Sequence, residues 1–354
     1  MNNFIFRVES DNQSGMGHFY RCLAMANIID NYKRTFLMSE YQPHLEEILN
    51  SYNIKLETLD SASPFIANSN ELSSYIGKKD IVVLDGYQYD EVYMEVINNI
   101  AAGLVVIDDL NQGKYYADVV LNHGPHAKDF KYNSIKKTNL LLGEKYTILR
   151  PAFYKHAGTG QVRNQVKVIS ICFGGSDSNN FALKYLEALN HIDKRFQINI
   201  ILGSSNYNPK EEYEKFNQNL VEVVTHKNIS DEKMALLLLA SDLLIATPSN
   251  IMMEACTINI PTITQAVADN QIPFYEFLDQ NKLATCIPEY SKISIKSLAK
   301  LINKTIFDNG YRKKMIGNQK EIFDGRSRLR IRDELENLAD KCGLMKENQR
   351  QFIA

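Results

Sequence analysis

The chain has 354 residues, 44% apolar and 23% charged, which is long enough for two domains and is the composition of an ordinary globular protein. Its 40 basic residues nearly balance its 42 acidic ones, which argues against a nucleic-acid or other polyanion binder. The five cysteines are dispersed and lack metal-ligand spacing, and no apolar run has the length of a membrane span or the form of a signal peptide. We therefore expect a cytoplasmic protein with reduced thiols and no membrane span.

The first half of the chain alternates short apolar runs with amphipathic stretches. A strand is predicted at 4–7, and a helix follows the turn Gly15-Met16-Gly17-His18 because apolar residues then recur every three to four positions. Continuous apolar runs are typical of strands buried on both faces of a parallel sheet. They recur at 35–38, 81–84, 104–107 and 119–121.

The turn at residues 15–18 is the strongest functional signal. Gly15 and Gly17 allow backbone N–H groups to approach a ligand, and the helix N-terminus there favours an anion. The positive end of the helix dipole disfavours imidazolium, so we expect His18 to be neutral and able to accept a proton. A glycine turn alone often only joins a strand to a helix, but the histidine at its mouth favours a functional site.

Polar residues follow three of the predicted strands, where ligands of open α/β sheets bind. These are Asp85-Gly86-Tyr87, Asp108-Asp109 and Asn122-His123-Gly124. Adjacent strand residues point to opposite faces, so the aspartate pair cannot easily chelate a metal, and a cap or loop hydrogen bond is the favoured interpretation. His123 and His126 lack zinc-ligand neighbours and are interpreted as surface or loop-packing residues.

The alternation resumes after a polar stretch at 155–165. A long apolar strand at 166–173 leads into Gly174-Gly175-Ser176-Asp177, which suits either a phosphate-cradling turn or a plain turn with Ser or Asp as helix cap. Further strands are predicted at 198–202, 221–224, 243–246 and 261–264. A helix from 251 to 256 follows Ser249 and Asn250, and Glu254 in it could accept from a ribose diol or merely compensate the helix dipole.

This pattern predicts two Rossmann-like α/β domains facing a cleft. The predicted divisions are an N-terminal domain at 1–154 carrying the histidine, a linker at 155–165, a nucleotide-binding domain at 166–330, and a charged C-terminal helix and tail at 331–354. The turns lack the Lys-Ser/Thr ending of a Walker loop and the full dinucleotide fingerprint, which disfavours ATPases and dehydrogenases.

In order along residues 7–330, these motifs resemble the GT-B fold and, more narrowly, the PseG-type UDP-sugar hydrolases of pseudaminic acid biosynthesis. The GT-B framework is shared with glycosyltransferases of the MurG type. The matching pieces are Gly15-Met16-Gly17-His18 with Arg21, Asp85-Gly86-Tyr87, Asp108-Asp109, Tyr146 with Leu149-Arg150, Gly174-Gly175-Ser176-Asp177, Ser249 with Glu254, Ala268-Asp269-Asn270-Gln271, and Asp324-Gly325 with Arg328 and Arg330.

The resemblance implies hydrolysis of a UDP-linked diacetamido-trideoxy sugar (UDP-2,4-diacetamido-2,4,6-trideoxy-β-L-altropyranose type), which releases UDP and the free sugar. His18 matches the catalytic base and Tyr87 a tyrosine close to the sugar. The residues implied in substrate or nucleotide binding are Gly15, Gly17, Arg21, Gly174, Gly175, Ser176, Asp177, Ser249, Asn250, Glu254, Asn270 and Gln271. Glu9, Gly86 and Met253 depart from the family pattern, and Met253 leaves the identity of the sugar open.

UDP is a good leaving group that needs charge stabilisation at its phosphates more than a general acid. Helix N-termini and glycine-turn amides can supply this stabilisation, so we expect no metal and no cofactor. A single base then suffices to activate water. Two alternatives stay open: a GT-B glycosyltransferase using the same kind of donor, and a non-catalytic nucleotide-sugar binder. The sequence leaves the oligomeric state undetermined.

Overall fold

The computed structural model describes residues 3–10, 16–59, 69–174, 177, 179–203, 206, 208–218, 222–288 and 293–346. The chain divides into two compact units, one made of residues 1–148 with 326–354 and the other of residues 149–325. Each unit contains a parallel sheet with helices packed on it, and the predicted α/β class with two Rossmann-like domains is confirmed.

The first unit contains a seven-stranded parallel sheet in the described residues, in the order β3-β2-β1-β4-β5-β7-β9. Its strands are β1 (Phe4–Val8), β2 (Arg34–Met38), β3 (Lys55–Thr58), β4 (Ile81–Asp85), β5 (Gly103–Ile107), β7 (Val119–Asn122) and β9 (Asn139–Leu142), with a small separate pair, β6 (Lys114–Tyr115) and β8 (Asn133–Ser134). Its helices are α1 (Gly17–Ala26), α2 (Pro43–Ser51), α3 (Ser69–Tyr75), α4 (Glu91–Ile100) and α13 (Ser327–Lys341).

The alternation of side chains along β4 determines which residues reach the site. Val82 and Leu84 pack with residues of α4 such as Met94 in one apolar cluster. Successive side chains of a strand point to opposite faces, so Val83 and Asp85 lie on the other face. Asp85 is therefore the last residue of a buried strand and is directed towards the face that carries α1.

The second unit contains a six-stranded parallel sheet in the order β12-β11-β10-β13-β14-β15 within the part of the chain that is described. Its strands are β10 (Val168–Cys172), β11 (Gln197–Leu202), β12 (Glu222–Lys227), β13 (Leu243–Ala246), β14 (Thr262–Thr264) and β15 (Thr285–Cys286). Its helices are α5 (Pro151–Lys155), α6 (Phe181–Asn190), α7 (Lys210–Glu214), α8 (Asp231–Ala240), α9 (Asn250–Ile258), α10 (Ile272–Gln280), α11 (Ile295–Phe307) and α12 (Asn309–Ile322). Two apolar clusters cover this sheet, one with α6 and α11 and one with α8, α9 and α10.

The observed division of the chain differs from the predicted one at both ends of the second unit. Residues 149–165 belong to the second unit, where α5 packs against α8 and α9. The prediction had placed residues 149–154 in the first domain and 155–165 in an interdomain linker. Residues from 326 onward belong to the first unit, where α13 contributes cations to the end of α1. Arg328 Nη2 donates to the carbonyl of Asn27 at 3.0 Å, and Arg332 Nε donates to that of Ile28 at 2.7 Å. Such cations stabilise the negative end of a helix.

The described residues include no helix that combines the length and apolarity needed to cross a bilayer.

Candidate active site

His18 and Asp85 form a hydrogen-bonded pair in the first unit. His18 is the second residue of α1, Asp85 ends β4, and His18 Nδ1 lies 2.7 Å from Asp85 Oδ1. Arg21 Nη2 also lies 3.1 Å from this Nδ1, but its two protons go to Asp85 at 2.6 Å and to Asp109 at 2.9 Å. An ionised carboxylate only accepts hydrogen bonds, so the pair with Asp85 assigns the imidazole proton to Nδ1. Nε2 is then left with its lone pair, which is the arrangement in which a carboxylate orients a histidine base.

Arg21 joins this pair to a second carboxylate. Its guanidinium donates to Asp85 from Nε at 2.8 Å and from Nη2 at 2.6 Å, and to Asp109 from Nη1 at 2.7 Å and from Nη2 at 2.9 Å. The Arg21 side chain is only 8% exposed and that of Asp85 is fully buried. We call His18, Arg21, Asp85 and Asp109 the polar row. Because two carboxylates already compensate the guanidinium, we infer that Arg21 holds the row together.

The charge of Arg21 keeps Asp109 ionised. Burial acts to raise the pKa of Asp109, but attraction and hydrogen bonding from Arg21 outweigh it and hold that pKa well below its usual range. The neighbouring Asp108 has a different task. It accepts from the backbone amide of Asn111 at 2.9 Å and from Tyr132 Oη at 2.7 Å. The predicted loop hydrogen bond therefore holds for Asp108, whereas Asp109 belongs to the polar row.

Tyr87 covers the histidine. Its ring stands edge to face with that of His18, with centroids 4.8 Å apart, and its hydroxyl donates to Asp109 at 3.3 Å. Burial and the charge of Asp109 raise the pKa of Tyr87, so the hydroxyl keeps its proton. The tyrosine is nevertheless 64% exposed, which leaves it accessible to a ligand.

A small cavity lies beside these side chains. It has a volume of about 60 Å³ and is lined by His18, Asp85, Tyr87 and Asp109 among others. One water molecule needs roughly 10–15 Å³ of such volume, so the cavity can hold a few waters. Next to it, Gly17 begins α1, and a Cβ added there would meet no atom within 4 Å. Gly15 lies outside the described residues.

His123, interpreted from the sequence as a surface or loop-packing residue, is buried in the first unit. Its Nδ1 accepts a hydrogen bond from the backbone amide of Ile148 at 3.2 Å, and only 4% of the residue is exposed. Burial, followed by repulsion from Arg21, lowers the pKa of His123 to about 4. The imidazole is therefore neutral near pH 7.

This lowered pKa predicts an acid-sensitive contribution to stability. The unfolded chain binds a proton at His123 near pH 6.5, whereas the folded chain does so only near pH 4, so stability from neutral His123 is complete above pH 6.5 and is lost as the pH falls to 4. We expect the free energy of unfolding to drop between about pH 7 and about pH 4.5 by on the order of 2 kcal/mol more in the wild type than in His123→Asn. Urea unfolding at both pH values measures this difference, and equal pH dependence of the two proteins would contradict it.

In the second unit, the glycine turn after β10 leads into α6. Gly174 has a φ of +80°, which favours glycine, and space is open around it. Gly175 and Ser176 lie outside the described residues. Asp177 accepts from the backbone amides of Phe181 at 2.8 Å and Ala182 at 3.0 Å, so the structure gives it the capping role that was the alternative interpretation.

Glu254 is held in an ion pair with Arg150. Arg150 donates to the two carboxylate oxygens from Nε and from Nη2, each at 2.7 Å, and Glu254 is only 2% exposed. Such a two-pronged pair fixes the plane of the carboxylate. At the start of the same helix, Ser249 Oγ lies 3.2 Å from the hydroxyl of Thr247 instead of capping an amide of α9, and Asn250 is the first helical residue.

Asn270 and Gln271 form a short turn before α10, where Gln271 Oε1 accepts from the backbone amide of Val267 at 2.9 Å. The neighbouring residues Val267, Ala268 and Asp269 line a pocket of about 480 Å³ together with Phe181 and Lys184. This volume falls in the range of about 300–1,000 Å³ that is typical of small-molecule sites.

The structure thus brings His18, Arg21 and Tyr87 together in the first unit and places the described turn residues at carboxyl ends of strands in the second. Asp85, Asp109 and Arg150 belong to the matched motifs, but the sequence analysis assigned none of them a catalytic or binding role. The available signal was the position of each aspartate directly after a buried strand. Nothing in the local sequence of Arg150 could indicate a partner 104 positions away. Among the described residues no group of three or more His, Cys, Asp or Glu side chains could hold a metal ion.

Comparison with known proteins gives few sequence relatives and many structural ones. No family model matches the chain. The uncharacterised protein MJ1062 of Methanocaldococcus jannaschii is 31% identical over 267 residues, which cover 71% of this chain and 53% of that protein. The chain therefore spans about half the length of the curated relative that it matches.

The similar solved structures include several glycosyltransferases. MurG of Acinetobacter baumannii has a TM-score of 0.67 at 15% identity and covers 95% of this chain and 99% of its own. UGT2 of Phytolacca americana, complexed with UDP-2-fluoro-glucose and pterostilbene, has a TM-score of 0.64 at 12% identity. The match covers 96% of this chain and 100% of the UGT2 chain. A UDP-glucosyltransferase of Polygonum tinctorium has a TM-score of 0.63 at 12% identity, and the match covers 96% of this chain and 98% of the glucosyltransferase chain. At these identities the likeness establishes the fold, and the chain has the paired Rossmann-like architecture of the GT-B glycosyltransferases.

Proposed function

We propose that this chain is an enzyme that acts on a nucleotide-sugar, with His18 as the base that takes a proton from the attacking oxygen. The observation that carries this proposal is the 2.7 Å bond between His18 Nδ1 and Asp85 Oδ1. It keeps the lone pair of Nε2 available for a proton, and Asp85 stabilises the imidazolium that forms.

The attacking oxygen in this proposal is that of water. The cavity beside His18 has a volume of about 60 Å³, which is enough for a few water molecules. The oxygen of water bonds to the anomeric carbon, its proton passes to His18 Nε2, and the bond from that carbon to the phosphate oxygen breaks with its electron pair leaving on UDP. The substrate implied by the sequence resemblance is a UDP-linked diacetamido-trideoxy sugar.

A glycosyltransferase is the second candidate, supported by the fold shared with MurG and the plant glucosyltransferases. The same base would then deprotonate an acceptor hydroxyl. A screen of UDP-, CDP- and GDP-sugars for nucleotide release separates the candidates. Release in buffer alone supports hydrolysis, release only on adding an acceptor alcohol supports transfer, and binding without release in either case would contradict both.

We assign the nucleotide to the second unit. The open space at Gly174 and the uncapped first amides of α9 suit phosphate oxygens, which helix N-termini and glycine turns bind through backbone donors. Glu254 presents a carboxylate fixed by Arg150, which suits the two hydroxyls of a ribose. Departing UDP would be stabilised by these donors.

Glu254→Ala is expected to weaken UDP binding by about 1–3 kcal/mol through the loss of charge-assisted hydrogen bonds. Calorimetric titration of folded protein with UDP measures this loss. The matched control is Asp231→Asn, because Asp231 also faces Arg150, at 3.4 Å, and is not assigned to the ligand. Unchanged UDP affinity in Glu254→Ala, or an equal loss in the control, would show that Glu254 only supports the helix.

A further inference from the structure

His123 lies beside the polar row on the same face of the first sheet. β5 and β7 pair with Ile107 opposite Leu121, so the register places Asp109 opposite His123 two residues later. The residues between them confirm the alternation, since Asn122 Nδ2 donates to Asp108 Oδ2 at 3.4 Å on the other face. Asp85 of β4 pairs with Ile107 of β5, so these two side chains lie on the same face of the sheet. The carboxyl ends of three neighbouring strands therefore place Asp85, Asp109 and His123 on one face.

His123 has one N–H group that can donate a hydrogen bond, at Nε2. The amide of Ile148 donates to Nδ1, so the proton of the neutral ring is on Nε2. The imidazole is electrostatically coupled to Arg21, Asp109 and Asp85, in keeping with its place beside the row. No hydrogen-bond partner of Nε2 is found among the described residues, and only 4% of the residue is exposed. An N–H donor without a protein partner can donate to an oxygen of a ligand.

The charge of the polar row indicates which kind of oxygen this is. The row contains two carboxylates, Asp85 and Asp109, against the single guanidinium of Arg21. This excess of negative charge repels a phosphate next to His123. A hydroxyl or an amide carbonyl is uncharged and is not repelled in this way.

We propose that the Nε2–H of His123 donates a hydrogen bond to an uncharged oxygen of the sugar, a hydroxyl or an amide carbonyl, and thereby determines which sugar is accepted. This proposal rests on the proposed function for the identity of the substrate as a nucleotide-sugar. His18 and His123 then have complementary roles. His18 offers a lone pair to the attacking water, and His123 offers a proton to the sugar that is attacked.

Two substitutions separate this role from a structural one. Asn places its amide oxygen near the position of Nδ1, so His123→Asn keeps the acceptor for Ile148 and removes the donor at Nε2. Gln places its NH₂ group near the position of Nε2, so His123→Gln keeps the donor and removes the acceptor. The probes are UDP and UDP-2,4-diacetamido-2,4,6-trideoxy-β-L-altropyranose. They are titrated calorimetrically into His18→Gln protein, which lacks the proposed base, and into the same protein carrying each His123 substitution, with thermal unfolding recorded for each.

We expect the His18→Gln protein to bind the UDP-sugar more tightly than UDP. In His123→Asn this advantage should shrink by about tenfold, as for a lost hydrogen bond of about 1.4 kcal/mol, with UDP affinity unchanged. His123→Gln should retain most of it despite a lower melting temperature. An undiminished advantage when His123→Asn is added, or no advantage in the His18→Gln parent, would overturn the proposal. Tight binding of the UDP-sugar by the wild type without release of UDP in water would instead contradict the hydrolase and leave the role of His123 standing.

Discussion

Replacing His18 with alanine or glutamine is expected to lower turnover by about a hundredfold to ten-thousandfold and to leave UDP affinity nearly unchanged. The reason is positional. His18 lies in the first unit, its Nδ1 is fixed by Asp85, and its Nε2 has no partner among the described residues. The proposed phosphate and ribose contacts belong to the second unit. Steady-state assays of UDP release and calorimetric titration with UDP measure the two effects separately.

The matched control for His18→Gln is His44→Gln, because His44 lies on α2 with its side chain exposed. We expect the control to retain full turnover. Asp85→Asn should lower turnover as well, since an amide no longer stabilises imidazolium or defines the tautomer. Near-normal turnover in either His18 variant, measured on purified folded protein, would rule out His18 as the base.

Arg21→Met is expected to destabilise the first unit by about 3–5 kcal/mol, because it leaves the carboxylates of Asp85 and Asp109 close together without their shared cation. Asp85 is fully buried, and the Asp109 side chain is only 26% exposed. Urea unfolding of wild type and variant measures the loss.

The double variant Arg21→Met/Asp109→Asn removes one of the two unpaired charges and should recover part of the lost stability. A double-mutant cycle with Asp109→Asn alone then gives the coupling free energy of the pair. Two results would show that charge compensation does not stabilise the polar row. One is unfolding of Arg21→Met at the same urea concentration as the wild type, and the other is a further loss of stability when Asp109→Asn is added to Arg21→Met.

The sequence predicted the interior strands of both sheets and missed most of the edges. β1, β2, β4, β5 and β7 are continuous buried runs, which are the signature of a parallel sheet covered on both faces. β3 and β9 form the two edges of the first sheet, and β15 forms an edge of the second. Their residues are partly exposed and lack that signature. The boundaries of the units were also missed, because α13 joins the first unit through cations that meet the end of α1 about 300 residues earlier.

For the site, the sequence indicated His18 and Tyr87 from the turn and the family resemblance, and strand ends as the place of the remaining groups. It could not assign roles to adjacent residues with the same chemistry. Asp108 and Asp109 differ only in the face to which each points. Asp108 therefore accepts hydrogen bonds from backbone amides and tyrosines, while Asp109 accepts them from Arg21. The ion pair between Glu254 and Arg150 could likewise not be predicted from the sequence, since the tertiary fold brings the two residues together.

The central claim is that water, activated by His18, attacks the anomeric carbon of a UDP-sugar. Turnover in isotopically labelled water, followed by mass spectrometry of both products, tests this claim most directly. We expect one labelled oxygen atom in the free sugar at its anomeric position and none in UDP. Label in UDP would mean attack at phosphorus, and transfer of the sugar to an added alcohol without uptake of label would mean that water is not the nucleophile. Either result would contradict the account.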